Sequence, residues 1–456
     1  MMNDEERSKK RQKRKKTSIL EPIGYAKRLS SYDEKGVCGG AEVEDSECVL
    51  EEKIAKLVEM VRQSTFLVAH TGAGISTAAG IPDFRGAKGI WTLEAKGNPL
   101  PDHEPCWNNA VPTLTHMAIK GLHEHGKLHG VITQNIDGLH ARSGLPEGVL
   151  SELHGNIFVE KCEKCNRKET RSFDIGGVGF NYTGRFCSSC GGPMIDNLLD
   201  WEDELPEEDY SRALDFVERS KAPGSLALCL GTSLQMDPSR HFPTKANQMV
   251  IVNLQSTPMD SKAHLVIHAR TDEVMRRLMQ GLGFSIPVYS REVDLVISHK
   301  ISRKRNSKSL NYYVTSPEGL PCGFISHIQV EFPGTSFSPV CAREQPFKIK
   351  KQQRPRKNNS STGDDANMVT CLVHIFWESL PIEDICLSIT NPFVLEYAFP
   401  KDENHGKKRY NFKMLELNYN TASGNNNQAE RVFGNDLTEF INLQDSAIRI
   451  VSTTVV

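Results

Sequence analysis

The sequence predicts an α/β protein: a doubly wound parallel sheet with a small metal-binding insert and polar extensions at both ends. Three observations carry that expectation. Between about residues 49 and 287, strand-like apolar runs alternate with stretches of helical period. A small-residue run, Thr71-Gly-Ala-Gly-Ile-Ser-Thr-Ala-Ala-Gly-Ile-Pro-Asp-Phe-Arg85, follows the first apolar run directly. Two Cys-x-x-Cys pairs, Cys162/Cys165 and Cys187/Cys190, interrupt the alternation with a segment of different composition.

The strand candidates are Phe66–His70, Gly130–Thr133, Ser225–Leu230, Met249–Asn253 and Leu265–His268. Helical stretches are Leu50–Arg62, Thr113–Glu124, Glu208–Lys221, Pro238–Ala246 and Asp272–Leu282. In the first of these, Ile54, Leu57, Val58 and Val61 fall on one face at i, i+3, i+4, i+7 spacing. Alternation of this kind covers both faces of a parallel sheet with helices, a Rossmann-like arrangement.

Flanking this domain, assigned to residues 48–288, are two regions of another character. Residues 1–47 lack apolar periodicity and read as a disordered tail, basic from Arg7 to Lys16 and acidic from Glu42 onward. Residues 289–456 read as a partly disordered extension. Two strand-like runs, His327–Phe332 and Val369–Trp377, point to a small β-rich unit within it, and Arg303-Lys-Arg and Lys348 to Lys357 are basic. The net charge of −2 excludes a whole-molecule field for polyanions, so any such attraction is local. No signal peptide and no apolar run of membrane-spanning length is expected. With an intracellular setting, twelve cysteines point to metal binding or buried thiols rather than disulfides.

The run from Thr71 to Arg85 suits a nucleotide phosphate. A strand that breaks into small residues and then a helix gathers backbone N–H groups and a helix dipole at one point. Gly72, Ala73 and Gly74 allow close approach, Ser76 and Thr77 add hydroxyls, and Asp83, Phe84 and Arg85 close the loop. No Gly-Lys-Ser/Thr follows, which excludes a Walker-type loop. A dinucleotide is the better reading, with hydride transfer still open at this stage.

Cys162, Cys165, Cys187 and Cys190 have the spacing of a zinc ribbon, placed at about 158–196. Four thiolates around one Zn²⁺ leave no position for water, so the metal is structural. The other cysteines (38, 48, 106, 229, 322, 341, 371 and 386) show no ligand spacing.

Polar residues recur just past strand ends, where open α/β sheets bind ligands. Gln134, Asn135 and Asp137 follow the second strand candidate. Gly231, Thr232 and Ser233 follow the third, and Asn253 and Gln255 the fourth. Asn and Asp also serve as turn and N-cap residues, but three such ends are harder to dismiss than one. His154, in Glu152-Leu-His-Gly155, lies between the glycine loop and the ribbon, and imidazole is the natural general base near neutral pH.

With these residues assembled, the chain resembles the sirtuins, NAD-dependent protein-lysine deacylases. The resemblance rests on Gly72-Ala-Gly-Ile-Ser76, Ile81-Pro-Asp-Phe-Arg85, Thr133-Gln-Asn-Ile-Asp137, Leu153-His-Gly155, both cysteine pairs, Gly231-Thr-Ser233 and Asn253-Leu-Gln255, in the family's order. It covers about residues 50–287. Gly89-Ile-Trp91, Leu199-Asp-Trp-Glu-Asp203 and the basic N-terminal run resemble the nuclear, chromatin-associated branch, and within it the nucleolar type.

The resemblance implies that NAD is consumed as a co-substrate. The acyl-lysine oxygen attacks C1′ of the nicotinamide ribose, and nicotinamide and O-acyl-ADP-ribose are released. His154 then matches the general base, while Asn135 and Asp137 match residues that position the ribose, nicotinamide and a water. Ala73, Thr77, Phe84, Arg85, Trp91, Gln134, Gly231, Ser233, Asn253, Gln255 and Thr271 match cofactor-contact positions. Ala269-Arg-Thr271 departs from the family's usual glycine there.

The implied partner is an acylated lysine on a histone or other nuclear protein, in a nuclear, chromatin-silencing role. Chromatin or nucleic acid would be met through the basic tails, and no membrane is involved. Trp201-Glu-Asp203 replaces a Phe-Gly-Glu-type segment of most active members, so long-chain acyl removal and ADP-ribosyl transfer stay open. A chromatin-binding zinc module with weak catalysis is the alternative from a different class.

Overall fold

A computed structural model describes residues 25–32, 35–99, 107–304, 307–323, 325–333, 339–343, 347–353, 368–377, 380–382, 385–387, 393–400, 405–417 and 419–420. The basic run at 7–16, Cys106 and the polar stretches near 360 and 425 lie outside these residues. Two compact units are present. One ends at Val288 and takes in Tyr419 and Asn420; the other runs from Tyr289 to Leu417 apart from a short segment at 381–384.

The strands of the first unit are β1 (Phe66–Thr71), β2 (Leu128–Thr133), β3 (Leu150–Glu152), β4 (Val159–Cys162), β5 (Lys168–Thr170), β6 (Tyr182–Phe186), β7 (Pro193–Asp196), β8 (Ser225–Leu230), β9 (Gln248–Val252) and β10 (Leu265–Ile267). Six of them form a parallel sheet in the order β10-β9-β8-β1-β2-β3. Taken in chain order, that is the 3-2-1-4-5-6 arrangement of a doubly wound fold, whose direction reverses between β1 and β8. Every residue of β1 and β8 is buried. Strands covered on both faces read as continuous apolar runs for that reason. Each fully buried Leu or Val there contributes about 1.5–3 kcal/mol.

The helix Glu207–Arg219 begins with Glu207, Glu208 and Asp209, acids that complement the positive end of its dipole. It lays Tyr210, Ala213, Phe216 and Val217 over Phe66, Val68 and Ile132. The alternate strand residues Leu67, Ala69 and Val131, also fully buried, turn to the opposite face. Three helices, Glu47–Gln63, Leu114–Glu124 and Thr271–Leu282, pack together there. Thr113 caps the second of them in a reciprocal box with His116.

Two expectations fail locally. Pro238–Ala246 is not one helix but two single turns of 3₁₀ helix, Ser239–His241 and Pro243–Lys245; Pro243 has no N–H to continue an α-helical ladder. The run after β1 likewise enters two 3₁₀ turns, Ala73–Ile75 and Thr77–Ala79, rather than an α-helix. The α-helix dipole expected at the end of β1 is therefore not formed by this run. The short strand β3 carries no run long enough to signal itself in the sequence.

β4 to β7 form a separate antiparallel sheet in the order β5-β4-β7-β6, carrying the cysteine pairs. Its interior holds a charge cluster: fully buried Glu160 accepts from Arg171 at 2.6 Å and from Arg185 at 2.8 Å.

The second unit contains β11 (Tyr289–Lys304), β12 (Ser307–Thr315), β13 (Ile325–Glu331), β14 (Val340–Ala342), β15 (Phe347–Gln353), β16 (Met368–Trp377), β18 (Ile385–Leu387), β19 (Phe393–Pro400) and β20 (His405–Leu417), while β17 (Leu380–Ile382) lies at the short segment assigned to the first. Two four-stranded antiparallel sheets, β15-β12-β11-β20 and β14-β13-β16-β19, close on a core that includes Leu295, Ile297, Tyr312, Ile328, Val373 and Leu395. Both strand-like runs seen in this part of the sequence are strands.

Candidate active site

The site lies at the carboxyl ends of β1 and β8, where the sheet reverses direction. Two loops meet there at backbone distance. Gly74 donates its N–H to Gly231 O at 2.9 Å, and Gly72 to Leu230 O at 3.2 Å. A Cβ on Gly74 would stand 2.9 Å from the Gly231 Cα, and one on Gly231 would stand 2.6 Å from the Ile75 nitrogen. Gly231 also adopts φ +54°, so side chains are excluded from this junction by both space and backbone conformation.

A cleft of about 470 Å³ opens over the junction, a volume ordinary for a small-molecule site. Of the residues singled out from the sequence, Gly72, Ala73, Gly74, Ser76, Asp83, Phe84, Arg85, Trp91, Gln134, Asn135, Asp137, His154, Gly231, Thr232, Ser233, Asn253 and Gln255 line it. Thr77 does not; its hydroxyl turns back to Gly74 O at 3.3 Å. Thr271 does not either, being the buried first residue of its helix.

The floor is a buried polar network. Ser76 Oγ donates to Asp137 Oδ2 at 2.6 Å, and Leu139 N donates to Asp137 Oδ1 at 2.8 Å. Asn135 Nδ2 donates to Gly72 O at 3.0 Å and to Ser76 Oγ at 3.3 Å. Burial raises the Asp137 carboxyl above its ordinary value, and the Ser76 and Leu139 donors work against that rise.

His154 Nδ1–H donates to Gln134 O at 3.0 Å. That bond fixes the ring's orientation and leaves Nε2 with its lone pair. Burial lowers the imidazole to about 4, opposed by the Gln134 carbonyl and reinforced by Arg85. His154 is therefore neutral at neutral pH, as an acceptor of protons must be. Gln134 itself is held by Ser239.

The opposite wall is aromatic. Phe84 and Trp91 have ring centres 4.5 Å apart, Trp91 and Trp201 5.2 Å, and Tyr32 stacks on Trp201 at 4.4 Å. The Arg85 guanidinium lies 4.6 Å from the centre of the Trp91 ring and donates from Nε to Lys35 O at 2.8 Å.

Part of this wall was not legible in advance. Tyr25 and Leu29 line the cleft, and Arg28 pairs with Asp174 at 2.5 Å. Farther on, Gln235 brackets Val37, accepting from its N at 2.7 Å and donating to its O at 3.2 Å. Gln255 donates to Gly40 O at 2.7 Å, and Asp45 N to His268 O at 2.7 Å. Composition groups this segment with the tail, yet it straps the cleft. A faint signal existed: Tyr25, Leu29 and Tyr32 repeat at i, i+4, i+7. Leu199, which opens the Leu199–Asp203 run, and Leu205 just beyond it also line the cleft, as do Met236, Pro238 and Trp107, which no motif marks.

In the ribbon, the Sγ atoms of Cys162, Cys165, Cys187 and Cys190 all lie within 4.8 Å of one another. Cys162 and Cys190 are 3.5 Å apart, Cys165 and Cys187 3.7 Å. Tetrahedral Zn²⁺ with bonds of about 2.3 Å requires sulfurs about 3.8 Å apart, so the four thiols fit that ion. Cys165 N and Ser189 N point at Cys162 and Cys187 Sγ, each at 3.4 Å, the donors a thiolate pair needs. Two basic side chains of the ribbon are engaged internally: Lys168 with Glu208 and Asp209, Arg171 with Glu160 and Glu169.

Fold and site together define an α/β protein with a nucleotide-sized cleft at its switch point and a four-thiolate ribbon inserted after β3. The sequence profile of the Sir2 family matches residues 72–108 and 102–238. The chain is 43% identical over 339 residues to "NAD-dependent protein deacetylase SRT1" of Oryza sativa subsp. indica, covering 72% of this chain and 69% of that protein. It is 45% identical over 283 residues to "NAD-dependent protein deacetylase Sirt6" of Drosophila melanogaster, covering 59% and 88%. It is 40% identical over 271 residues to "NAD-dependent protein deacetylase sirtuin-7" of Homo sapiens, covering 56% and 66%. The chain belongs to the Sir2 family.

Proposed function

We propose that this chain is an NAD-dependent protein-lysine deacylase, with His154 as general base and Cys162, Cys165, Cys187 and Cys190 as holders of a structural Zn²⁺. One observation carries the proposal above the rest. A neutral His154, oriented by Gln134 O, faces the same cleft as the buried Ser76–Asp137–Asn135 network. When bound, NAD supplies the reactive glycosidic carbon, and its cleavage releases nicotinamide.

The rest follows from this chain's own groups. The backbone of Ala73 and the hydroxyls of Thr232 and Ser233 present donors to phosphate, while Gly72 and Gly74, whose N–H groups are bound to Leu230 O and Gly231 O, hold the two loops at backbone distance. Asn135 and Asp137 hold the ribose and nicotinamide end. His154 Nε2 accepts a proton from a ribose hydroxyl so that this oxygen can attack the acyl carbon. Phe84, Arg85, Trp91 and Gln134 contact the cofactor from the sides, and Asn253 and Gln255 do so at its far end; Asp83, which receives Gly86 N at 3.0 Å, shapes the loop. The four-thiolate ribbon supports the fold and takes no part in the chemistry.

The acyl group packs against the cleft wall that carries Trp91, Trp201 and Leu205. An aromatic and aliphatic wall favours acyl chains longer than acetyl, because apolar burial grows with each methylene, by about 0.8 kcal/mol. The names of the relatives favour an acylated protein as substrate, and the basic N-terminal run favours a nuclear setting, with histones or other nuclear proteins as the targets. The test is nicotinamide release from acyl-lysine peptides of increasing chain length, with wild type and His154→Tyr. Release only with both NAD and acylated peptide, absent in the variant, supports the reading. Equal release by the folded variant rejects it.

A further inference from the structure

The second unit carries a charge pattern that the deacylase reading leaves unused. In the sheet β15-β12-β11-β20, the positions Leu295, Ile297, Tyr312, Val314, Phe347 and Ile349 are buried in the sandwich core. The alternate positions face outward. Register places Lys348, Tyr313, Ser298 and Lys407 in one row across all four strands. In the neighbouring row Asn311, Lys300 and His405 are aligned. Lys300, Lys348, His405 and Lys407 are exposed, and the Lys348 ammonium lies 5.7 Å from the centre of the Tyr313 ring.

Among the described side chains of β11, the outward acids Glu292 and Asp294 sit toward the opposite end. There Asp294 engages Arg409 at 2.6 Å. Cations spread over a flat sheet with an aromatic ring among them suit a polyanion with unstacked planar groups. In a duplex the bases are stacked on one another and cannot cover Tyr313.

We propose that this outward sheet face binds single-stranded nucleic acid, with phosphates against Lys300, Lys348 and Lys407 and one base stacked on Tyr313. The inference stands on the second unit alone and does not depend on the chemistry of the cleft.

The test is fluorescence anisotropy of the full chain with a labelled oligouridylate across a salt series. The comparison variants are Lys300→Gln/Lys407→Gln and Tyr313→Leu, each checked by thermal unfolding and by nicotinamide release. The double variant should lower the slope of log affinity against log salt by about 1.4, two single-strand phosphate contacts at about 0.7 each. That difference is read against the unaltered N-terminal run, whose own contribution cancels. Tyr313→Leu should weaken binding by about fivefold to a hundredfold with the slope unchanged. Unaltered affinity and slope in both stable variants would overturn the proposal. So would tighter binding to duplex, or to phosphatidylserine vesicles, with no effect of Tyr313→Leu.

Discussion

Ser76 Oγ donates to Asp137 Oδ2 at 2.6 Å, joining the loop after β1 to the loop after β2 across a buried gap. Both residues are almost fully buried, so neither finds a substitute partner in water. The bond fixes the distance between the residues that would hold phosphate and those that would hold the ribose. In Ser76→Ala, Asp137 keeps only the Leu139 donor, and its carboxyl rises further. We expect a loss of about 1–3 kcal/mol in stability and a fall in nicotinamide release of about tenfold or more. Urea unfolding and steady-state release measure the two separately.

His154 leads to a prediction about pH. A general base must be unprotonated, and burial holds this imidazole at about 4. As pH falls through the ordinary histidine value, His154 stays neutral, so kcat/KM should not drop there on its account. The acid limb belonging to this group should appear only toward about pH 4. A full limb near the ordinary value, abolished in no variant but His154, would show that the ring is not desolvated as described. His154→Ala should lower kcat/KM by about 10²–10⁴.

For the ribbon, the prediction is stoichiometric and structural. Thiol modification should release one Zn²⁺ per chain, and Cys190→Ser should lower the unfolding temperature and broaden the transition. Structural zinc sites hold about 10–16 kcal/mol of binding energy as folding energy. Zn²⁺ release followed with a chromogenic chelator, alongside calorimetry, checks both. Nicotinamide release in the metal-depleted protein should fall in step with folding rather than ahead of it.

At the loop junction, Gly231→Ala should cost more than its size suggests. The new methyl would meet Ile75 N at 2.6 Å, and φ of +54° adds about 1–2 kcal/mol of conformational strain. Gly148, which has nothing within 4 Å of a Cβ, is the control: Gly148→Ala should be neutral to within about 0.5 kcal/mol. Urea midpoints and NAD titration calorimetry on both variants decide the matter.

How much of this could be read from residues alone depended on the kind of signal. β1 and β8 announced themselves because strands buried on both faces are continuous apolar runs. The ribbon did so because four thiolates need a fixed spacing. The placement of Asn135, Asp137 and Ser233 followed from one rule about the carboxyl ends of parallel strands. Local geometry beyond these rules was less visible. The segment after Gly72 has helix-compatible composition but folds as 3₁₀ turns, since its N–H groups are spent on Gly231 O and on i−3 carbonyls. The strap was hidden because Lys35, Gly36, Gly39 and Gly40 work through their backbones, and a backbone carbonyl such as that of Lys35 has no sequence signature. Tyr25 and Leu29 were overlooked for a related reason: two apolar residues in a polar stretch acquire meaning only from the surface they meet.

The strap also sets where the protein can be cut. A shortened chain starting near residue 48, the boundary that composition suggests, would keep β1, the ribbon and His154. It would lose the carbonyl that anchors Arg85, the partner of Gln255 and the Tyr25–Leu29 side of the cleft. Such a fragment could fold and still bind its cofactor poorly. Low turnover measured on it would describe the missing segment rather than the catalytic residues.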